Sequence, residues 1–179
     1  GPSMLTEEEH PLDIKQVLAH LKPILEDESI TKCAHNAKYD IMILWHYGIH
    51  VRGLLFDTMV ANYLLNPSVR QHNLDALSLH YFDVKKIPIK TLIGVGKKEK
   101  TMDQVPIKPV SDYACEDADM TWRLWELLEP KMQEMNLKRL MTDIEVPLIY
   151  VLAKMEHNGV SLDLDYLRTM SKELQSELT

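Results

Sequence analysis

Apolar residues at Ile14, Val17, Leu18, Leu21, Ile24 and Leu25 recur every three or four positions, the spacing that lines one face of an α-helix. The pattern predicts a surface helix whose last turn is bent or ended at Pro23, because proline has no N–H and its ring crowds the preceding turn. Glu26-Asp27-Glu28-Ser29 then marks a turn, and residues 30–34 read as a short strand of mixed apolar and polar character. A second helix is expected over residues 37–47, with Gly48 as its left-handed C-terminal cap. Residues 51–56 read as another short strand. Asp57 or Thr58 then has the side-chain oxygen to cap a helix carrying Met59, Val60, Tyr63 and Leu64, which Asn66-Pro67 stops. Asn73 is suited to cap one more helix, with Leu74, Leu77 and Tyr81 on its inner face.

Periodicity is lost over residues 83–109. Gly94, Gly96 and Lys97-Lys98-Glu99-Lys100 predict an exposed loop there with short helical turns at most. Gly94-Val95-Gly96-Lys97-Lys98 lacks the glycine spacing and the following Ser or Thr of a phosphate loop, and is not read as one. Pro109 suits the beginning of a long helix that packs Trp122, Trp125 and Leu128. Residues 137–157 form the next helical pattern, with Ile144, Leu148, Val151, Leu152 and Met155, and Pro147 should kink or divide it. Asn158-Gly159 is a turn, residues 160–162 a short extended piece, and Asp163 an N-cap for a last helix bearing Leu164, Leu167, Met170 and Leu174. That apolar stripe finds no partner within the sequence, as expected of the opening of a domain that continues.

With 179 residues and 45% hydrophobic content, the chain can build one good core, or one domain and part of another. Its apolar runs, such as residues 41–45, fall far short of the roughly 20 residues that cross a bilayer, and no basic-then-apolar leader opens it. A soluble cytoplasmic protein is the expectation. Cys33 and Cys115 lack the spacing of a zinc or redox motif and are read as small buried thiols. Gly1-Pro2-Ser3-Met4 reads as a tag remnant, so native sequence is expected from about Leu5. A formal net charge of -7 argues against a passive phosphate-binding surface, which rests on Lys and Arg. Contact with nucleic acid would need divalent cations held in an acidic cleft, where they invert the local charge.

Candidate chemistry lies at two helix starts. Tyr113 and Asp117 are four residues apart at the opening of the long helix, so both side chains project from one face, with Cβ atoms roughly 5–6 Å apart. A metal-holding carboxylate would then stand beside a phenol able to position a water. Tyr and Asp are also common on first turns, so the pair alone does not define a site. In His35-Asn36-Ala37-Lys38-Tyr39-Asp40 a strand gives way to a helix, which points Asp40 toward a cleft; a first-turn aspartate favoured by the helix dipole accounts for it equally.

Taken together, Asn36-x-x-x-Asp40, Phe56-Asp57-Thr58-Met59, His72-Asn73-Leu74-Asp75-x-Leu77 and Tyr113-Ala-Cys-Glu-Asp117-Ala-Asp closely resemble the proofreading 3′-to-5′ exonuclease domain of the bacterial DNA polymerase I family. That family belongs to the DEDD exonucleases of RNase H-like fold, in the subclass with a tyrosine in its last motif. Ile144-Glu145-Val146-Pro147-Leu148 and Met155-Glu156-His157-Asn158-Gly159-Val160 resemble the opening of the polymerase domain in the same enzymes. The resemblance covers nearly all of the chain from about Pro23. It implies an α/β fold, here truncated and helix-rich with two or three short strands. It also implies an exonuclease part over residues 5–140 and the start of a polymerase domain over residues 141–179.

The resemblance further implies two Mg²⁺ or Mn²⁺ ions at the scissile phosphate of a DNA 3′ end. Asp117 would ligate the first ion and Asp40 the second, and Tyr113 would orient the attacking water. Asn36 would contact the terminal nucleotide or support Asp40, and Arg70 and His72 are candidates for the strand backbone. The family begins its fold with a strand bearing Asp-x-Glu, and none precedes Asp40 on a strand; the acidic candidates at Glu7 to Glu9 and Glu26 to Glu28 fall in a tail and a turn. The motif is therefore expected farther upstream than this chain extends. Metal binding would then be weak or absent and exonuclease activity negligible in the chain alone. With about two of five sheet strands present, an exposed strand edge is expected to invite self-association. Two further readings remain: a noncatalytic scaffold beside a polymerase, and a free-standing RNA-trimming exonuclease of the same superfamily.

Overall fold

A computed structural model describes residues 12–96 and 99–178. The tag-like residues 1–4, the expected native start at Leu5, the acidic Glu7 to Glu9, and Lys97 and Lys98 of the lysine cluster lie outside the described residues. The elements run α1 (Ile14–Glu26), β1 (Lys32–Ala34), α2 (Ala37–His46), β2 (Leu54–Asp57), α3 (Thr58–Leu65), α4 (Leu74–Phe82) and α5 (Ile89–Ile93). A 3₁₀ turn (Met102–Gln104), α6 (Ile107–Glu134), α7 (Lys138–Leu140), a π-helical turn (Met141–Glu145), α8 (Val146–Asn158) and α9 (Leu164–Glu177) complete them.

β1 and β2 pair in parallel, with Cys33 opposite Phe56 and Ala34 opposite Asp57. Parallel neighbours need a crossover, and α2 supplies it. Two glycines make that unit close. Gly48 takes φ +68° and lets its N–H donate to the Trp45 carbonyl at 3.0 Å, capping α2 as expected. At Gly53, φ is +69° and an added Cβ would lie 2.6 Å from the Ile30 carbonyl oxygen, so the chain can pass under the α1–β1 turn there only without a side chain. Among the described residues the sheet has these two strands, and the extended piece at residues 160–162 does not become a strand.

α6 is the spine. Met120, Leu124, Leu128 and Met132, four residues apart and all buried, form the stripe against which Phe56, Ala61 and Leu77 from β2, α3 and α4 pack. Met141 and Val146 close the far end of this cluster. A second cluster joins Ala37 and Ile41 of α2 to Ile149 and Ala153 of α8, and an ion pair between Lys38 and Glu156 spans the same two helices.

Three departures from the sequence reading have simple causes. Pro23 does not end α1, which continues to Glu26. The N–H missing at Pro23 removes one bond near an exposed helix end, where the loss is tolerated. Pro147 divides its helix one turn earlier than its own position: the Val146 N–H donates to the Met141 carbonyl, a π-type bond that accommodates the absent N–H at Pro147. Cys115 is exposed rather than buried, because the inner stripe of α6 passes through residues 120, 124, 128 and 132, and Cys33 is half-buried. α9 contains no buried residue and carries exposed Leu164, Tyr166 and Leu174.

Candidate active site

Asp57 organises the site from below. Only 1% exposed at the end of β2, its carboxylate accepts from the Met59 and Val60 N–H groups at 2.9 and 3.2 Å, capping α3. Across the sheet it also accepts from the Asn36 and Ala37 N–H groups at 3.2 and 2.7 Å. One carboxylate thus satisfies the opening donors of two helices, and fixes where α2 begins. Asn36 adopts φ 62°, ψ 49°, a left-handed conformation that asparagine tolerates better than most residues, and this turn sends the chain from β1 into α2.

Asp40, in the first turn of α2, and Tyr113 and Asp117, on α6, all line one open cavity of about 790 Å³, together with His35, Asn36, Tyr39 and Trp122. Asp40 is exposed at its edge, yet loss of hydration and the negative Asp57 behind it raise the carboxyl above the usual carboxylate range. Burial, and then the charge of Asp117, push the Tyr113 phenol up, so it stays protonated at neutral pH and can donate a hydrogen bond. Tyr39 and Trp122 leave 64% and 51% of their surface exposed and offer broad apolar faces to the cleft.

The structure does not bring Arg70 or His72 to this cavity. Arg70 is exposed outside its lining, and His72 is held in a different network, where its Nδ1 accepts from the Asn62 side-chain amide at 2.7 Å. Tyr81 and Asn66 bond to the same Asn62 carbonyl oxygen, at 2.8 and 3.2 Å. The network braces α3 against α4.

Two residues that sequence reasoning passed over belong to the site. His35 Nδ1 sits 2.8 Å from Thr58 Oγ1, whose hydroxyl hydrogen goes to the Ala34 carbonyl, so Nδ1 donates and the buried Nε2 is left as an acceptor without a partner. Burial lowers its pKa, keeping the ring neutral. Its signal was its place beside Asn36 in the first motif. Lys86, from the loop before α5, has a side chain 1% exposed and forms an ion pair with Asp117. Its Nζ is 3.6 Å from Asp75 Oδ1 and 3.8 Å from Glu116 Oε2, and 5.0 Å from the centre of the Tyr113 ring. Burial opposes its charge, but these carboxylates prevail and hold its pKa above the ordinary lysine value. No pattern in the sequence marked it.

The carboxylate oxygens of Asp40 and Asp117 suit a hard divalent cation. The residues present do not complete a site for one: among the described residues no three His, Cys, Asp or Glu side chains are grouped so as to hold an ion, and Asp117 is already engaged by an ammonium.

A parallel β–α–β unit capped by one buried aspartate, with two carboxylates and a phenol from two helices on its open edge, defines an RNase H-like nuclease-type α/β domain. The model of the 3′-5′ exonuclease domain of DNA polymerase A matches residues 7–133, and the chain belongs to that family. It is 40% identical over 170 residues to DNA polymerase I of Pseudomonas aeruginosa and 39% identical over 166 residues to that of Rhizobium leguminosarum, each match covering 93% of the chain. It spans 19% and 16% of the length of those relatives. Among solved structures, the polymerase domain of Pol1 from M. smegmatis, in complex with DNA primer-template and dNTP, superposes with a TM-score of 0.66 at 26% identity, covering 88% of this chain and 24% of that one. Brucella melitensis NrnC shares the fold, with a TM-score of 0.60 at 19% identity over 78% of this chain and 64% of its own. Among the described residues no helix is long and apolar enough to cross a membrane.

Proposed function

We propose that this chain contributes Asp40, Tyr113 and Asp117 to the proofreading site of a DNA polymerase I, where the 3′-terminal nucleotide of a single DNA strand is hydrolysed. The observation that carries the reading is convergence: Asp40 on one helix and the Tyr113–Asp117 pair on another, more than 70 residues further along the chain, line one open cavity with two exposed aromatic rings at its rim. Tyr39 and Trp122 offer stacking faces to unpaired bases, which every base can use, so the strand would be gripped without sequence preference. Tyr113, kept protonated, positions a water or a phosphate oxygen by hydrogen bonding. Asn36 contacts the terminal nucleotide or fixes Asp40, and Arg70 and His72 are left to the strand's path beyond the cavity.

Mg²⁺ or Mn²⁺ is the ion class these oxygen donors call for, with Asp40 and Asp117 as this chain's ligands. Two carboxylates, one of them paired with Lys86, hold such an ion weakly, so the chain alone has negligible exonuclease activity. Residues 5–140 form the exonuclease part and residues 141–179 open the polymerase domain, whose first long helix, α8, packs on α2. The open edges of the β1–β2 pair favour self-association, so light scattering at high concentration should give more than the monomer mass; a strictly monomeric mass would remove that part.

The reading is tested on the longer polymerase that carries this chain, by following shortening of a 5′-labelled single strand. Asp117→Ala should abolish trimming and leave primer extension intact; equal trimming by variant and parent would overturn the reading. The Lys86–Asp117 pair favours one second reading, a noncatalytic platform, and absence of trimming in the unmodified polymerase would establish it. Preference for RNA ends would point instead to an RNA-trimming enzyme.

A further inference from the structure

α8 covers α2 from end to end. At the first turn of α2 the Lys38 ammonium pairs with Glu156, and along its inner face Ala37 and Ile41 pack on Ile149 and Ala153. At its last turn the Trp45 and His46 rings stand edge-on to the His157 ring, with centres 5.7 and 5.6 Å away. The same cluster takes in Ala34 of β1 and Leu54 of β2, so α2, the two strands and α8 share one packed seam. Ala153 lies at its middle, 0% exposed. The opposite side of α2 faces the candidate site: Asn36 leads into the helix, and Tyr39 and Asp40 in its first turn line the cavity. The two residues seated on α8, Ala37 and Ile41, flank that pair in sequence.

We propose that α8, through Ala153, sets the position of α2 and with it the cavity wall formed by Asn36, Tyr39 and Asp40. The helix that opens the polymerase part thereby governs the geometry of the nuclease part. Ala153 is a positioning residue: it touches no substrate, but in a close-packed interior any carbon added to it has to displace a neighbour. Packed helices shift as units, so moving Ala37 and Ile41 carries Tyr39 and Asp40 along. A reacting group displaced by about 1 Å costs on the order of a hundredfold in rate, and a small change at this buried contact is therefore amplified in the cavity. Its bearing on trimming rests on the proposed function; the seating of α2 on α8 does not.

The test compares Ala153→Leu, which adds volume, with Ala153→Gly, which adds none. In the polymerase proposed to carry this chain, Ala153→Leu should slow release of the 3′-terminal nucleotide from a single strand roughly tenfold or more, while primer extension changes by less than about twofold. Ala153→Gly weakens the helix without pushing on α2, so it should lower the melting temperature and trim at the parental rate. A merely structural alanine would lose trimming in step with melting temperature in both variants. Parental trimming by folded Ala153→Leu, an equal loss in Ala153→Gly, or an equal loss of extension overturns the proposal. Hydrogen exchange of the 179-residue chain reads the seating without catalysis. In Ala153→Leu the backbone amides of α2 should exchange roughly tenfold faster than in the parent, and those of α4, which lies outside the seam, within about twofold. Equal acceleration in both helices, or none in α2, overturns it. Should Ala153→Leu fail to fold, Ile149→Ala removes volume from the same seam and is held to the same two readings, faster α2 exchange and slower trimming. Faster α2 exchange in Ala153→Leu alongside unimpaired trimming by the Asp117→Ala polymerase would uphold the seating of α2 and reject the proposed function.

Discussion

Replacing Asp57 by alanine should do more damage than its place outside the proposed catalytic trio suggests. Its carboxylate is 1% exposed and takes four backbone N–H groups from two helices. Loss of the α3 cap costs about 1 kcal/mol, and loss of the charge-assisted bond to the buried Ala37 N–H about 2–3 kcal/mol, for a total of about 3–4 kcal/mol. Domains of this size are stable by only about 5–15 kcal/mol, so the change is a large share of the whole. Urea unfolding followed by far-UV circular dichroism reads it directly. With a slope of about 2 kcal/mol per molar, the midpoint should fall by about 1.5–2 M. Asp57→Asn keeps one carbonyl oxygen but turns an amide N–H₂ toward backbone donors, and should fall roughly half as far. A midpoint shift below about 0.5 M for Asp57→Ala, at unchanged slope, would refute the argument that this carboxylate joins the two helix starts.

Gly53→Ala should destabilise the chain more than Gly48→Ala in the same unfolding assay. Both have positive φ, worth about 1 kcal/mol each, but only the Gly53 Cβ meets backbone oxygens, at 2.6 and 2.9 Å; equal losses would count against the close approach. Asp40→Asn should raise the melting temperature at pH 7 and leave it unchanged near pH 3. The folded protein holds the Asp40 proton to higher pH than the unfolded chain, whose value is 3.8, so stability falls as pH rises from there through the raised folded value. Because Asp40 is exposed and screened, the gain should be only about a degree or two; a lower melting temperature at pH 7 would reverse the assigned direction.

Capping chemistry was the most legible part of the sequence. Asp57, Asn73 and Asp163 each accept from a backbone N–H two or three residues on, and Gly48 ends α2, because a short polar side chain or a missing Cβ acts within one turn and needs no tertiary knowledge. The pairing of Asp40 with Tyr113 and Asp117 was legible only through the order of the motifs: periodicity can place two residues on one helix face, but not two helices on one cavity. Lys86 was invisible for the same reason. It lies in a stretch without periodicity, and its partner Asp117 is 31 residues further along the chain. The same limit hid the second role of Asp57, which caps α3 locally and α2 across the sheet. His72 drew attention as a conspicuous residue beside a motif, and its actual partner, Asn62, stands on the preceding helix.

The measurement closest to the centre of this account is single-turnover release of the 3′-terminal nucleotide from single-stranded DNA by the polymerase proposed to carry this chain. Asp117→Ala and Asp40→Ala should each slow it by at least a hundredfold, Tyr113→Phe by less, with primer extension unchanged in all three. Release at the parental rate by either aspartate variant would contradict the assignment of this cavity as the proofreading site.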